Sequence, residues 1–370
     1  MNLTKINLLN FRNISNISIK LSNNMNIFIG ENAQGKTNIL EAIEMLALTK
    51  SHRLSVSPNI IKFHKKNCQI KGVVKKDRII SKLELSITEE GKKLKVNKTD
   101  IKRVADYISN LNVIVFTPDD LEIIKGSPSI RRNLLNIQLS QISKSYLNIY
   151  NEYNKILKTR NEYLKILFNN SIADLKYLDI ITDKLIEKAV FIYKKRIEYT
   201  NFINKNINAY YSDISAGSGL SVVYEPNISI NSSDDKEIAE VLRRKLKDNY
   251  QKELNYGMTM YGPHRDDFSF YISDNNLKYF GSQGQQKLAI LAFKLAEIPV
   301  FESMCGTSPL LLLDDIFSEL DIKKRNKLLK FISEGSIQTI VTTTDLKNIN
   351  KKYLDNAYIY EVKNGNIERK

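Results

Sequence analysis

Two cysteines, Cys68 and Cys305, and three histidines are all the thiol and imidazole metal ligands in this 370-residue sequence. The cysteines stand far apart, so neither a disulfide framework nor a cysteine-based zinc site is expected, and both read as ordinary buried thiols. His52, His64 and His264 never fall four residues apart and no HExxH occurs, which argues against a protein-built transition-metal centre. No apolar run reaches the roughly 18 residues of a membrane span. The most apolar stretch, Leu288 to Phe301, is interrupted by Lys294 and Glu297. The opening MNLTKINLLNFRN has no basic start followed by an apolar run, so no secretory leader is expected and the chain is assigned to the cytoplasm. Internal repeats and low-complexity tracts are missing too.

What is present is a globular composition with a strong charge bias. With 42% apolar and 26% charged residues the chain has the material for a packed core, and its length suggests about two domains. Lys and Arg number 56 against 41 Asp and Glu, a net charge of +15, which calls for an anionic partner, nucleic acid or membrane surface. The bias is local: residues 61–103 hold 14 Lys and Arg and 5 Asp and Glu, an excess of +9.

The opening segment alternates apolar and polar residues from Ile14 to Leu21, and Met25 to Gly30 is a short apolar run ending on glycine, so both read as strands. Ile39, Leu40, Ile43, Leu46 and Leu48 then recur at helical spacing. The basic stretch alternates again, with a hairpin turn expected at Glu90-Gly91. From Ser129 the period changes: Leu135, Leu139, Ile142, Tyr146, Ile149, Tyr153 and Ile156 step by four and three, the seam of a helix pair. A second helix is expected over about 173–211, with a turn at Asn169, Asn170 and Ser171. The resulting hairpin of roughly 35 to 40 residues a side measures about 50 to 60 Å. Another helix is expected from Lys236 to Leu254, and strands return at Asp266 to Ser273. The expectation is a head domain from residues 1–117 and 255–370, interrupted by a helical arm at 118–254.

GENAQGKT, Gly30 to Thr37, fits GxxxxGK(S/T), a phosphate-binding loop. Its backbone N–H groups turn inward at a helix N-terminus, Lys36 reaches the β- and γ-phosphates of a nucleotide, and the Thr37 hydroxyl serves Mg²⁺. Gly30, Glu31, Asn32, Ala33, Gln34, Gly35, Lys36, Thr37 and Asn38 are therefore candidate ATP contacts. PLLLLDDIFSELD, Pro309 to Asp321, reads as a strand buried on both faces that delivers Asp314 at its carboxyl end, where ligands gather. Asp314 is the candidate Mg²⁺ carboxylate and Asp315 the group that orients the attacking water.

GSQGQQKLAILAFKLAE, Gly281 to Glu297, resembles the signature motif of ABC-type ATPases, usually Ser-Gly-Gly-Gln, with Gln283 in place of the first glycine. The resemblance implies that Ser282, Gln283, Gly284 and Gln285 face the γ-phosphate of ATP bound to an opposite subunit, so that hydrolysis needs a dimer. SELD, Ser318 to Asp321, stands where that class carries its D-loop. The motifs are similar to those of SMC-like heads, although the arm is too short for cohesin- or condensin-type proteins.

GENAQGKTN, the KSHR run at Lys50 to Arg53, FTPDDLEIIKGSPSIRR (Phe116 to Arg132), YGPHRDDF (Tyr261 to Phe268), GSQGQQK and LLLDDIFSELD together resemble the bacterial RecF family over essentially the whole chain. The implied fold is α/β: an ABC/SMC-like P-loop ATPase head with a mixed sheet, plus a short helical-hairpin arm. The implied function is ATP-dependent DNA binding in recombinational repair: a weak, DNA-stimulated ATPase that dimerises on ATP. It would bind double-stranded and gapped DNA, working with RecR and RecO to place RecA, in the cytoplasm or on the nucleoid.

Asp315 in place of Glu and the absence of a switch histidine in TTTDLK (Thr342 to Lys347) imply slow turnover. Asp119 and Asp120 occupy the Q-loop position and read equally as Mg²⁺ or water ligands and as solvated turn acids. Arg12 matches a position near the nucleotide in SMC-like heads and reads equally as a surface arginine. Lys65, Lys66, Lys75, Lys76, Arg78, Lys92 and Lys93 are candidate phosphate contacts, sequence-independent and salt-sensitive, or simply a solvated face. His52, Arg53, Arg131 and Arg132 are candidates for transmitting nucleotide state or touching DNA. Two other readings stand beside this one: an interaction module with a structural nucleotide, and an ATPase subunit of a membrane complex.

Overall fold

The computed structural model describes all residues except 52–56, 170–173, 216, 336 and 348, so His52, Arg53 and most of the expected interhelical turn lie outside it. Strands β1 (Asn2–Phe11), β2 (Ile14–Lys20) and β3 (Met25–Ile29) lead into helix α1 (Lys36–Leu48). A meander follows: β4 (Asn67–Lys76), β5 (Ile79–Thr88), β6 (Gly91–Val96) and β7 (Thr99–Ile101). Then come α2 (Val104–Ile108), β8 (Val113–Phe116), α3 (Glu122–Lys125), α4 (Pro128–Ile142), α5 (Lys144–Asn169) and α6 (Leu175–Ser215). β9 (Leu220–Glu225), α7 (Asp235–Asp248), α8 (Tyr250–Tyr256), β10 (Asp267–Ile272), β11 (Asn275–Asn276) and α9 (Leu277–Phe280) continue the chain. It finishes with α10 (Gln283–Cys305), β12 (Leu310–Leu313), α11 (Ile316–Glu319), α12 (Ile322–Glu334), β13 (Thr339–Thr343), β14 (Tyr358–Lys363) and β15 (Asn366–Arg369). None of the described helices is long and apolar enough to cross a membrane.

Two compact units result. The first comprises residues 1–121, 206–218 and 282–370. It contains an antiparallel sheet in the order β2-β1-β4-β5-β6-β7 and a mixed sheet in the order β15-β14-β3-β13-β12-β8. In the mixed sheet the five strands from β14 to β8 run parallel and only β15 is antiparallel. Helix α1 touches β1, β4 and β5 of one sheet and β8 and β13 of the other, which is why it is buried almost all round, Glu41 and Glu44 included. The four leucines of β12 are fully buried between β8 and β13, each worth about 1.5–3 kcal/mol of hydrophobic stabilisation. A β5–β6 hairpin turn is present one residue earlier than expected, at Glu89-Glu90 instead of Glu90-Gly91, because Gly91 already pairs with Thr88 as the first residue of β6.

The second unit comprises residues 122–205 and 219–281. Its helical hairpin is α5 against α6, antiparallel, with Leu164 and Leu167 packed on Leu178 and Arg160 donating to the Thr182 hydroxyl at 2.9 Å. Three expectations need correction here. The helix expected to run unbroken from Ser129 stops at Ser143, which takes extended backbone angles after α4 and accepts the Tyr146 N–H at the start of α5. The two sides are therefore unequal, 26 residues in α5 and 41 in α6. The hairpin is also one layer of a packed unit, because α8 covers it: Tyr250 and Leu254 join its apolar cluster and Glu253 forms a buried ion pair with Arg160 at 2.7 Å.

The strand at Asp267–Ile272 does not return to the head, since it pairs along its length with β9. Residues 255–281 accordingly sit in the second unit, and the chain divides after Leu121 and before Ser282 rather than at 117 and 255. The helix expected over Lys236 to Leu254 is interrupted at Asn249, which ends α7 and precedes α8.

Candidate nucleotide site

The phosphate loop lies between β3 and α1, as its glycines require. Gly35 sits at φ 107°, left-handed backbone that a side chain would strain, and caps α1 so that Lys36 opens the helix. At Gly30 a Cβ would come within 2.3 Å of the Val362 carbonyl on β14, so only glycine permits that approach. The first turn of α1 has no side-chain cap and no acidic residue, which leaves its N–H groups and positive dipole end for an anion. Lys36 folds back over its own loop, with Nζ donating to the carbonyls of Gly30 at 2.5 Å and Glu31 at 2.8 Å. Burial lowers the Lys36 pKa, while the carboxylates of Asp315 and Asp314 act to raise it. Glu31, Asn32 and Ala33 form the exposed crest of the loop.

Sequence reasoning missed what braces this loop. Asn13, in the turn between β1 and β2, donates to the Gln34 carbonyl at 3.1 Å and accepts from Asn38 Nδ2 at 2.9 Å. The β14–β15 turn closes the other side: Gly365 N–H donates to the Gln34 carbonyl at 3.0 Å and Asn364 N–H to Gln34 Oε1 at 2.6 Å. The only sequence signal is the polar Arg12-Asn13 pair after β1, read for its arginine. Arg12 itself is held by Glu41 of α1, with Nε–Oε2 at 3.0 Å and Nη2–Oε1 at 2.6 Å, and by the Asn59 carbonyl at 3.0 Å.

Asp314 follows β12 and is buried beside the loop. Its Oδ1 accepts from the Thr37 hydroxyl at 3.0 Å and from the Thr342 hydroxyl at 2.6 Å. Thr342, another residue the sequence reading did not single out, also accepts the Asp315 N–H at 3.0 Å, so β13 fixes both acids. Asp315 adopts left-handed backbone at φ 46° as the N-cap of α11. Its Oδ2 accepts from Ser318 Oγ at 2.8 Å, while Oδ1 is buried with no hydrogen-bond partner among the described residues. A hydroxyl and two carboxylates, one with an unsatisfied oxygen, form a hard-oxygen donor set that suits Mg²⁺.

Ser282 is the N-cap of α10, and with Gln285 it forms a capping box, Gln285 N–H to Ser282 Oγ at 3.3 Å and Ser282 N–H to Gln285 Oε1 at 2.9 Å. Ser282, Gln283, Gly284 and Gln285 are all exposed, and a Cβ at Gly284 would meet nothing within 4 Å. Asp120 is turned inward, accepting the Thr117 N–H at 2.9 Å, whereas Asp119 is exposed.

The basic candidates do not form one patch. Lys65, Lys66, Lys92 and Lys93 lie at one end of the antiparallel sheet and Lys75, Lys76 and Arg78 at the other, about 30 Å apart along β4 at the usual strand rise. Lys92 Nζ is engaged with the Thr49 carbonyl at the end of α1, at 2.7 Å. Arg131 is buried in a bidentate pair with Asp267, at 2.6 and 2.8 Å, and Arg132 donates to the Asp266 carbonyl at 2.7 Å, so both arginines have architectural work inside the second unit. The GPHRDD segment is likewise a core element: Asp266 is buried against Arg196 at 2.7 Å, and His264 lies between Tyr153 OH at 2.6 Å and the Thr259 carbonyl at 3.0 Å. Burial pushes the Cys68 thiol up to about 12, and Cys305 is only half-buried.

A phosphate loop, an acid at the end of a parallel core strand two places away in the sheet, and an exposed serine-capped helix following a second unit define a P-loop ATPase of the ABC/SMC-like class. The RecF/RecN/SMC N terminal domain family matches residues 2–368. Curated relatives named "DNA replication and repair protein RecF" include that of Listeria monocytogenes, 40% identical with all of both chains covered. That of Halalkalibacterium halodurans is 39% identical, again over all of both chains. The chain belongs to the RecF family. A solved structure of the recombination mediator protein RecF with ATP, in the RecFOR pathway, superposes with a TM-score of 0.91 at 31% identity, covering 100% of this chain and 97% of that one. The Smc head domain of Pyrococcus furiosus, at 16% identity and a TM-score of 0.56, with 100% of this chain and 95% of that one covered, shares the fold.

Proposed function

We propose that the protein is an ATP-switched clamp on duplex DNA in recombinational repair, engaging double-stranded and gapped DNA as a dimer and working with RecR and RecO to place RecA. The observation that carries the reading is the split of the chemistry between covered and uncovered parts. Asp314 and Thr37 already face each other at 3.0 Å inside the molecule, whereas Ser282 and Gly284 are exposed and need a second copy to complete a site.

On ATP binding, Lys36 exchanges the Gly30 and Glu31 carbonyls for the β- and γ-phosphates, and the first-turn N–H groups of α1 receive the phosphate oxygens. Thr37 and Asp314 are the residues to hold Mg²⁺, which when bound neutralises phosphate charge. Asp315 supports turnover through Oδ1, the buried oxygen without a partner among the described residues, which can accept a hydrogen bond from the attacking water. Its side chain is one methylene shorter than Glu, and β13 ends on Thr342 and Thr343 with no histidine there, both of which favour slow hydrolysis. Basic side chains at the ends of β4 and β6 supply sequence-independent contacts to DNA phosphates.

Sedimentation of the Asp315→Asn and Ser282→Arg variants tests the reading. Asp315→Asn is expected to retain ATP and accumulate as a dimer, and Ser282→Arg to bind ATP yet stay monomeric and inactive. A monomeric Asp315→Asn variant at saturating ATP contradicts the sandwich.

A further inference from the structure

The β4–β5 hairpin ends in a bare apolar pair. Ile79 and Ile80 are 66% and 59% exposed, directly after a two-residue turn in which Asp77 takes left-handed backbone at φ 52°. Adjacent strand residues point to opposite faces, so the tip presents aliphatic surface on both sides. It is held firmly: the strands stay paired to their last residues, Lys76 with Ile79, and the Lys82 N–H and carbonyl are both bonded to Asn97 of the β6–β7 turn at 2.8 Å. The charge around the tip is almost all positive. Residues 75–82 hold Lys75, Lys76, Arg78 and Lys82 against Asp77 alone, and none of the four cations has an ion-pair partner among the described residues. Helix α1 packs on the face of the sheet that buries Ile70, Val74, Leu83 and Leu85. On the opposite, solvent-facing side Lys75 stands across from Ile80, and the next row runs Lys20, Lys5, Val73, Lys82 across four strands.

We infer that this tip is a wedge for the end of a duplex: Ile79 and Ile80 cover the bare face of the last base pair at a gap, while the lysines of the solvent-facing side hold the phosphates behind it. This inference rests on the DNA reading above and adds to it the feature that tells a gap from unbroken duplex. The physical reason is a difference in cost. An aliphatic side chain enters a continuous duplex only by unstacking a base step, whereas the terminal pair at a gap has no pair stacked on its outer face. The same contact therefore costs little at a discontinuity and much elsewhere. Phosphate contacts alone make no such distinction. Two isoleucines are also too little apolar surface for a lipid anchor, while an adjacent row of lysines is what a phosphate backbone requires.

The test measures affinity, with ATP at fixed salt, for a gapped duplex and its unbroken counterpart, each carrying 2-aminopurine at the position that borders the gap. Wild type is expected to bind the gapped duplex about tenfold more tightly and to change the 2-aminopurine fluorescence there alone. Ile79→Ser/Ile80→Ser is expected to lose both effects while binding unbroken duplex within about twofold of wild type, and Ile79→Leu/Ile80→Leu to keep them. Lys75→Gln/Lys82→Gln is expected to weaken both complexes alike and to flatten their salt dependence. Wild type with no preference for the gap, or a serine variant that keeps it, would overturn the wedge alone. A serine variant that keeps the preference and loses binding to phosphatidylserine vesicles would assign the tip to lipid and overturn it too. Wild type that binds neither duplex, with ATP or without, would overturn the DNA reading and the wedge with it.

Discussion

At the scale of residues, the site is a set of oxygens held in place by neighbours that carry no obvious motif. Asp314 Oδ1 is oriented by two hydroxyls, Thr37 at 3.0 Å and Thr342 at 2.6 Å, and the phosphate loop is oriented by Asn13 and the Asn364-Gly365 turn. Asn13→Ala removes both braces on the first side, the contacts to the Gln34 carbonyl and to Asn38. The loop then has more conformations to lose on binding, and ATP affinity is expected to fall about tenfold, with global stability reduced by only about 1 kcal/mol. Isothermal titration with an ATP analogue, beside thermal unfolding, separates the two effects; unchanged affinity would deny Asn13 this role. Lys36, Thr37 and Asp314 were legible in the sequence because their chemistry requires a fixed spacing along one strand–loop–helix segment or at a strand end. Asn13 and Thr342 were not, because they reach the site from β1–β2 and β13 through long-range contacts that no local pattern encodes.

At the scale of elements, the second unit shows how a motif can be legible and its role hidden. GPHRDD stands out in the sequence, and the structure gives it the task of joining helices to a small sheet: Asp266 meets Arg196 of α6, Asp267 meets Arg131 of α4, and His264 meets Tyr153 of α5. His264 is held down to about 4 from 6.5, first by burial and then by Arg265, Arg132 and Arg196, against the pull of the Thr259 carbonyl. Between those values the unfolded chain binds a proton that the folded chain refuses. Stability is therefore full above pH 6.5 and declines as pH falls toward 4, by up to about 3 kcal/mol for this one group. Urea unfolding at several pH values should give a slope over that window that is shallower by one proton in His264→Gln, whatever the variant's baseline stability; an identical slope would contradict the assignment. Helical periodicity gave away α4, α5 and α6, but a continuous four-and-three pattern does not reveal that Ser143 leaves the helix to cap the next one. Nor does the alternation of β10 reveal its partner, since pairing with β9 is decided by the chain between them.

At the scale of the whole molecule, net charge announced an anionic partner and left its location open. The basic stretch is contiguous in sequence and divided in space, because an antiparallel meander sends Lys75, Lys76 and Arg78 to the end of the sheet opposite Lys65, Lys66 and Lys93. As the proposed phosphate contacts, two separated groups would give affinity without sequence preference, and their use together would depend on how copies of the chain are arranged. ATP is the proposed arranger. The central claim is that nucleotide binding at Lys36 switches DNA binding elsewhere on the surface, and fluorescence anisotropy on a gapped duplex at fixed salt tests it directly, with ATP, ADP and no nucleotide, for wild type and Lys36→Ala. The account predicts tight binding with ATP alone and its loss in Lys36→Ala. Equal binding under all of these conditions would contradict it and leave the basic groups as passive anchors.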